Sequence, residues 1–157
     1  MKITLILVGK TTDDYIKTGM DKYINRLKKY VGFNIEIIPA LKKTRNLSQD
    51  QIKEKEGEQI LNKINATDTL VLLDEKGKEM NSVSFSNYIQ KSMLQSIKNL
   101  VFVVGGAYGF SPVVYKKASS KLSISQMTFS HQIIRLIFLE QLYRAFTIVN
   151  NEPYHHE

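Results

Sequence analysis

Apolar and polar positions along the chain repeat with two different periods, and the changes of period predict the secondary structure. Residues 2–8 form an apolar run rich in β-branched side chains that ends at Gly9, which predicts a first strand. Residues 12–30 then place apolar side chains every three or four positions, which is typical of one face of an amphipathic helix. Residues 33–38 alternate up to Pro39, which predicts a second strand.

The rest of the chain continues this alternation of strands and helices. In order, the pattern predicts a helix opened by the capping-box sequence Ser48-Gln49-Asp50-Gln51, a strand at 69–73 closed by the polar cluster 74–78, a helix at about 82–97, a strand at 100–104, a helix started by Ser111-Pro112, a short strand at 121–125 and a long helix from 131 to about 149. The strands at 69–73 and 100–104 are apolar throughout, as in strands covered on both faces. The whole pattern predicts an α/β fold with a mostly parallel sheet flanked by helices, in a single domain of residues 1–157.

The last predicted helix carries apolar residues on nearly all of its sides. Its apolar side chains are Ile133, Ile134, Leu136, Ile137, Phe138, Leu139, Leu142, Phe146 and Ile148. A helix that is apolar all round has to be buried all round. In a domain of this size, one face against the sheet and another against a second subunit satisfies that need, so we expect a homodimer. A helix enclosed entirely by its own protomer is the alternative.

The charge balance favours a polyanionic partner without identifying one. The chain has 22 Lys and Arg against 15 Asp and Glu, a formal net charge of +7, and each phosphate that such residues neutralise releases condensed counterions. Solubility is the alternative role of the same charge. The absence of cysteine excludes disulfides and thiolate metal sites and fits a reducing compartment. The apolar run at 2–8 is too short for a signal peptide, and no stretch approaches the ~20 apolar residues of a membrane span, so we expect a cytoplasmic protein.

Most familiar catalytic motifs are absent from the sequence. The first strand ends in a single glycine, which excludes the G-x-G-x-x-G dinucleotide loop, and there is no Walker A sequence and no G-x-S-x-G elbow. The three histidines, at 131, 155 and 156, lack the spacing of a metal site, so no metal is expected. Because ligands of parallel sheets bind beyond the carboxyl ends of the strands, residues 73–75, 105–109 and 124–129 are candidate site loops. The glycine-rich turn at 105–109 suits close approach to a ligand, and equally a tight strand-to-helix connection.

Three segments at these loops and in the last helix resemble a known family. Residues 103–109 (VVGGAYG), 122–132 (LSISQMTFSHQ) and 139–146 (LEQLYRAF) are similar to the RlmH family, the bacterial large-subunit ribosomal RNA pseudouridine N3-methyltransferases of the SPOUT class. The similarity extends to residues 1–10, to 53–57 (KEKEG) and to 152–155 (EPYH). It therefore covers the chain from end to end, and the combination of the MTFSHQ and EQLYRAF blocks is highly specific.

The resemblance implies a fold, a reaction and partners. The fold is a SPOUT-type α/β knot, in which the C-terminal segment threads a loop to form a trefoil knot, a topology that general rules of chain connection make rare. The reaction is methylation of N3 of a pseudouridine in 23S ribosomal RNA within assembled ribosomes, with S-adenosylmethionine as cofactor and a homodimer as the enzyme. A non-catalytic ribosome-binding or RNA-binding protein on the same fold and a transfer RNA methyltransferase are the alternatives.

Carried over position by position, the resemblance also implies site residues. The residues expected to hold S-adenosylmethionine are Leu73, Gly105, Ile124, Ser125, Gln126, Met127, Thr128 and Phe129. His155 and Tyr154 are candidates for proton removal, and Arg144 is the candidate for stabilising the developing anion or holding a phosphate. The tail that carries Tyr154 and His155 is expected to be mobile without a partner and to order over a cofactor cavity, of its own or of a second subunit. The expected RNA contacts, each otherwise an ordinary surface charge, are Lys42, Lys43, Arg45, Lys116 and Lys117.

Overall fold

Among the described residues, five strands and five α-helices follow one another along the chain. The computed structural model describes residues 1–156, and Glu157, the last residue of the predicted domain, lies outside the described residues. In chain order the elements are strand β1 (Lys2–Val8), helix α1 (Asp14–Leu27), strand β2 (Gly32–Ile38), a 3₁₀ turn (Thr44–Asn46), helix α2 (Gln49–Leu61), strand β3 (Thr69–Glu79), helix α3 (Ser82–Leu94), strand β4 (Asn99–Val104), helix α4 (Pro112–Lys117), strand β5 (Ser120–Ser123) and helix α5 (Ile133–Val149). The predicted elements are all present, with ends that differ by a few residues.

The five strands form one parallel sheet in the order β2-β1-β4-β3-β5. β1 lies between β2 and β4, with Lys2 paired to Gly32 on one side and to Asn99 on the other. β3 pairs with β4 on one side and with β5 on the other. This arrangement confirms the predicted α/β class. It also brings the carboxyl ends of β3, β4 and β5 next to one another.

Each face of the sheet is covered by helices. On one face, α1, α3 and α5 bury a cluster that includes Leu5 and Phe102 from the strands and Phe138 from α5. On the other face, α2 and α4 bury a smaller cluster that includes Leu72 from β3 and Val114 from α4. Because neighbouring side chains of a strand alternate between faces, the wholly apolar runs of β3 and β4 supply both clusters.

Strand β3 is longer than its apolar run. The polar cluster at 74–78 is predicted to end the strand at Leu73, but β3 continues to Glu79. It continues because β5 pairs with both halves of β3, with a register shift between Leu73 and Lys78. Gly77 permits this pairing, since a Cβ at that position would lie 2.7 Å from the backbone of Leu122. The extension is imposed by a distant partner strand, which the local sequence does not reveal.

The predicted capping is present at the start of α2 and absent at the start of α4. At α2, the Ser48 hydroxyl accepts from the Gln51 amide at 3.1 Å and the Gln51 side chain accepts from the Ser48 amide at 2.9 Å, so the predicted capping box is confirmed. α4 begins at Pro112 as predicted, but the Ser111 side chain makes no capping hydrogen bond. Ser111 is instead buried against Gly57 of α2, where the two helices approach closely.

Helix α5 is deeply buried on one side and incompletely on the other. The side chains buried between α1, α3 and the sheet are Phe138, Leu139, Leu142 and Phe146. The side chains that stay only partly buried include Ile133, Leu136 and Ile137. The protomer therefore does not enclose the helix, which contradicts the alternative of a helix buried wholly within one subunit. The trefoil knot implied by the resemblance stays a prediction.

Candidate active site

A cavity of about 550 Å³ opens beyond the carboxyl ends of β3, β4 and β5. Most of its lining comes from residues 73–76, 105–110 and 124–129, with the exception of Gln126. His131 and Ile134, at the start of α5, line it too. Parallel sheets place ligand sites at this end because the connecting loops leave a crevice there. The three loops singled out in the sequence therefore meet in one cavity.

Seven of the eight residues expected to hold a cofactor line this cavity. They are Leu73, Gly105, Ile124, Ser125, Met127, Thr128 and Phe129. The eighth, Gln126, extends toward Glu79 (Nε2 to Oε2, 3.5 Å) and lines a separate cavity near the start of α3. A tight turn directs it outward, since the Ser125 hydroxyl accepts from the Met127 amide at 3.0 Å and the Ser123 hydroxyl donates to the Ser125 carbonyl at 2.9 Å.

The glycine-rich turn after β4 is held between an aromatic ring and a carboxylate. A Cβ on Gly105 would lie 3.0 Å from the ring of Phe110, and one on Gly106 would lie 2.6 Å from the carboxylate of Glu56. Gly109 has a φ of +80°, a left-handed conformation that side chains disfavour. Burial raises the pKa of the Glu56 carboxyl. A side chain at Gly105 or Gly106 would therefore displace Phe110 or Glu56, and backbone conformation favours glycine at Gly109.

Two carboxylates stand at the cavity, where β3 continues past its apolar run. Asp74 accepts hydrogen bonds from the Tyr115 hydroxyl and from the Lys76 amide (2.8 Å), and Glu75 accepts one from the Thr128 hydroxyl (3.3 Å). Burial and the contact with Asp74 raise the pKa of Tyr115 to about 12, so this phenol keeps its proton at neutral pH. In a chain of net charge +7, this local pair of negative charges favours a ligand that carries a cationic group.

A buried arginine ties the cavity to the end of β1. Arg135, in the first turn of α5, has 0% of its surface exposed. Its guanidinium donates to the carbonyls of Val8 (2.8 Å) and Gly9 (3.0 Å) and to the hydroxyl of Thr11 (2.9 Å). Its Nε donates to the carbonyl of His131 (2.9 Å), a residue that lines the cavity. Burial lowers the pKa of Arg135. The sequence analysis did not single out Arg135. The sequence pattern that could have indicated it is a single positively charged residue among the apolar residues at the start of α5.

The three candidate catalytic residues lie together, but away from the cavity of their own protomer. Arg144 Nη1 lies 3.3 Å from His155 Nδ1, and the Arg144 guanidinium packs over the Tyr154 ring at 4.7 Å. Glu140 Oε1 accepts from Arg144 Nη2 (2.5 Å) and Nε (3.1 Å) and from the Tyr154 hydroxyl (3.1 Å). None of these four side chains lines the cavity described above. The candidate catalytic residues and the candidate cofactor residues therefore lie in two separate places on the chain.

The C-terminal tail is packed against α1 and α5. The Tyr30 hydroxyl donates to Glu152 at 2.6 Å, and the Tyr154 hydroxyl lies 3.4 Å from that of Tyr23 in α1. Burial and contacts with Tyr23 and Glu140 raise the pKa of Tyr154, which therefore keeps its proton at neutral pH. The tail therefore contacts α5 and the α1 region of its own chain, and its mobility without a partner stays a prediction. The sequence analysis assigned no role to Glu140 or Glu152, whose carboxylates accept these hydrogen bonds.

The basic residues expected to contact RNA are exposed and form two groups. They are Lys42, Lys43 and Arg45, around the 3₁₀ turn, and Lys116 and Lys117, at the end of α4. Within residues 1–156, none of the five pairs with a carboxylate within 4.0 Å. Over that same part of the chain, no helix combines the length and apolarity of a membrane span, and no three metal-ligating side chains group together.

Almost the whole chain matches one protein family. Residues 1–155 match the family described as "Predicted SPOUT methyltransferase". The chain belongs to the SPOUT methyltransferase family. This SPOUT methyltransferase is 60% identical to a "Ribosomal RNA large subunit methyltransferase H" of Parabacteroides distasonis and 57% identical to one of Flavobacterium johnsoniae, with 157 residues aligned and 100% of each chain covered in both cases. These matches confirm the resemblance to the RlmH family and to the SPOUT class.

A solved structure is similar to this SPOUT methyltransferase at a lower level. The SpoU methyltransferase AviRb from Streptomyces viridochromogenes, crystallised in complex with the cofactor AdoMet, matches with a TM-score of 0.47 and 11% sequence identity. The match covers 96% of this chain and 59% of that chain. So low a similarity transfers no property to this SPOUT methyltransferase.

Proposed function

We propose that this chain transfers the methyl group of S-adenosylmethionine to N3 of a pseudouridine in 23S ribosomal RNA, as a homodimer of a single 157-residue domain. The observation that carries the proposal is the convergence of three strand-end loops on one cavity. Full-length identity of 57–60% to relatives named ribosomal RNA large subunit methyltransferase H supports the substrate. Assembled ribosomes are the proposed target, which assigns the protein to the cytoplasm.

The cavity residues fit an adenosyl sulfonium cofactor. Leu73, Ile124 and Phe129 supply apolar walls for a purine ring, and the cavity volume lies within the ~300–1,000 Å³ of small-molecule sites. Gly105 leaves room for the Phe110 ring, which adds another apolar side chain to the lining. The negative charges of Asp74 and Glu75 complement a sulfonium cation. When bound, the cofactor supplies a methyl group that is already activated for nucleophilic attack.

The chain's own residues orient the reactants and stabilise the developing charge. Holding two reactants in attack geometry can lower a barrier by about 7–11 kcal/mol, which is what positioning within the cavity would contribute. The attacking ring nitrogen loses its proton, which leaves negative charge on the uracil ring, and Arg144 is a cation suited to stabilise it. Tyr154 keeps its proton at neutral pH, so we assign it as a hydrogen-bond donor and not as the base.

We infer that a second copy of the chain brings the tail to the cavity. Arg144, Tyr154 and His155 do not line the cavity of their own protomer, so a complete site needs another subunit. Apolar surface is available for such an interface, because Met127 at the cavity is 76% exposed and the outer side of α5 is only partly buried. Exposed apolar surface beside a site is typical of interfaces. In the proposed dimer, the tail of each subunit closes the cavity of the other.

Mixing two inactive variants tests this shared site. His155→Ala removes the tail histidine and leaves the cavity intact, whereas Gly105→Val pushes a side chain against the Phe110 ring, which lines the cavity, and leaves the tail intact. Heterodimers are purified through two different affinity tags. If each site is shared between subunits, the cavity of the His155→Ala subunit meets the intact tail of the Gly105→Val subunit. If each site lies within one subunit, neither site is intact. Restored methylation of unmodified ribosomes supports the shared site. Folded heterodimers without activity contradict it, with folding checked by circular dichroism and size-exclusion chromatography.

The substrate is tested with ribosomes from a strain that lacks this methylation. Incubation with labelled cofactor, followed by mass spectrometric mapping, should place one methyl group on a pseudouridine of the 23S ribosomal RNA. Methylation of transfer RNA instead contradicts the ribosomal substrate. Calorimetry addresses the non-catalytic alternative, because a protein that only binds ribosomes gives no heat with S-adenosylmethionine even at high protein concentration.

A further inference from the structure

We propose that His155 faces the substrate as a hydrogen-bond donor, through its Nε2–H group, and that Arg144 and Glu140 fix it in that form. The inference rests on the proposed function, because it concerns how the tail acts on a uracil ring that is being methylated. It removes His155 from the role of general base and makes Glu140 a positioning residue for the same site.

The contact between Arg144 and His155 determines the tautomer. Arg144 Nη1 lies 3.3 Å from His155 Nδ1. A guanidinium has only N–H donors and stays protonated in proteins, so this contact is a hydrogen bond only when Nδ1 is the acceptor. A neutral imidazole that accepts at Nδ1 carries its proton on Nε2. The nitrogen left for the substrate is therefore a donor, and it has no free electron pair with which to take a proton.

Glu140 holds the arginine in the orientation that this contact needs. Its Oε1 accepts from Arg144 Nη2 and Nε, at 2.5 and 3.1 Å, which leaves Nη1 for His155. Its Oε2 accepts from the Gln141 side chain at 2.8 Å. The two charged side chains are largely buried, with 24% of Arg144 and 19% of Glu140 exposed, and the pairing with Glu140 raises the pKa of Arg144. The arginine is thus charged and held in place before any substrate arrives.

A donor suits the negative charge that develops on the uracil ring. Once the ring nitrogen has lost its proton to solvent, charge spreads over that nitrogen and the two flanking carbonyl oxygens. The electron pair of the nitrogen then forms the bond to the methyl carbon, while the electron pair of the carbon–sulfur bond returns to sulfur. His155 keeps its own proton throughout. It stabilises the charged ring by donating to a carbonyl oxygen, as preorganised donors do in oxyanion sites, and neutral histidine is known in this role.

The tautomer is measurable without any substrate. Two-bond ¹H–¹⁵N correlation spectra of the ¹⁵N-labelled full-length protein distinguish imidazole nitrogens with and without a proton, and the His155 signals are those lost in His155→Gln. We expect a protonated Nε2 and an unprotonated Nδ1 at neutral pH, and a mixture of both tautomers in Arg144→Met. A native His155 with its proton on Nδ1 overturns the proposal, and an unchanged tautomer in Arg144→Met overturns the role of the arginine.

Methylation kinetics separate a donor from a base. His155→Gln keeps an N–H donor but has no nitrogen able to take a proton, whereas His155→Ala has neither. We expect His155→Ala to lower kcat by ~10²–10³-fold, the usual loss for one such donor, and His155→Gln to retain most of the activity. Equal losses in the two variants overturn the donor role. His156→Gln, at the exposed neighbouring position, is the matched control and should keep full activity.

Different results contradict the methylation of ribosomal RNA and the donor role of His155. A native protein that methylates no ribosomal RNA contradicts the proposed function, whatever the tautomer of His155. An active enzyme whose His155 carries its proton on Nδ1 contradicts this inference alone.

Discussion

Arg135→Met tests the buried arginine that joins α5 to the end of β1. Methionine has a similar length and fills much of the same space, so the change removes hydrogen bonds while it keeps most of the apolar contacts. The four acceptor atoms that lose their donor are Val8 O, Gly9 O, Thr11 Oγ1 and His131 O. Arg135 and residues 8, 9 and 11 are buried, so we expect water to reach these three acceptors poorly in the variant, whereas His131 is exposed.

The size of the loss follows from two opposing contributions. Hydrogen bonds to a charged group are worth about 1.5–3 kcal/mol each, so the four together set an upper bound of roughly 6–12 kcal/mol. Burying a guanidinium among neutral acceptors costs several kcal/mol, and methionine does not incur that cost. The difference is a loss of about 3–5 kcal/mol in the free energy of unfolding. At about 2–4 °C per kcal/mol for a domain of this size, Tm should fall by roughly 6–20 °C.

Urea unfolding followed by circular dichroism measures this loss. All variants are compared at one protomer concentration, because the stability of a dimer depends on concentration. Arg45→Met is the matched control, since Arg45 is exposed and its replacement should change stability by less than about 0.5 kcal/mol. An Arg135→Met protein as stable as the Arg45→Met protein would refute the reasoning, because buried acceptors without donors must cost free energy.

Three further predictions concern the sheet, a helix start and the cavity. Gly77→Ala should lower the free energy of unfolding by about 1–3 kcal/mol, because the new Cβ would lie 2.7 Å from the backbone of Leu122. Gly32→Ala is the control, because a Cβ there meets only an ordinary contact at 3.8 Å. Equal losses of stability in urea unfolding would contradict this explanation. Ser48→Ala should cost about 1 kcal/mol in the same assay by breaking the capping box, and an unchanged midpoint argues against the box. Tyr115→Phe should remove, from the ultraviolet pH titration, a phenolate that forms only near pH 12. The raised pKa of Tyr115 stabilises the folded state at pH values below 10.0, the ordinary pKa of tyrosine, and this stabilisation is lost as the pH rises through about 12. If the phenolate that the substitution removes forms with a midpoint near pH 10, the prediction is wrong.

Local pattern was enough to predict much of the fold. β1, β2 and β4 are found within one residue of their predicted ends, because each is an apolar or alternating run with a clear stop. The capping box at Ser48 is another local signal, complete within four residues. The convergence of the loops at Leu73 and Gly105 also followed from a general rule, since the ends of parallel strands meet at one end of a sheet.

What the sequence did not predict depends on partners far along the chain. β3 extends over a polar cluster because β5 pairs with it, and the buried position of Arg135 depends on acceptors at the end of β1, more than 120 residues away. The sequence around Glu140 does not distinguish it from any other polar residue of a helix. Its role depends on the fold of the tail, which places Tyr154 beside it. The outward direction of Gln126 depends on a turn whose hydrogen bonds pattern alone does not specify.

The position of α5 in the fold constrains the order in which the protein can be completed. The helix lies near the carboxyl end of the described chain, yet its side chains fill the space between α1, α3 and the sheet. During synthesis, the apolar surface that it will cover has no counterpart until α5 itself has left the ribosome. We therefore expect the nascent protein to need protection from aggregation. The core and the hydrogen bonds of the C-terminal tail should form in the same late step.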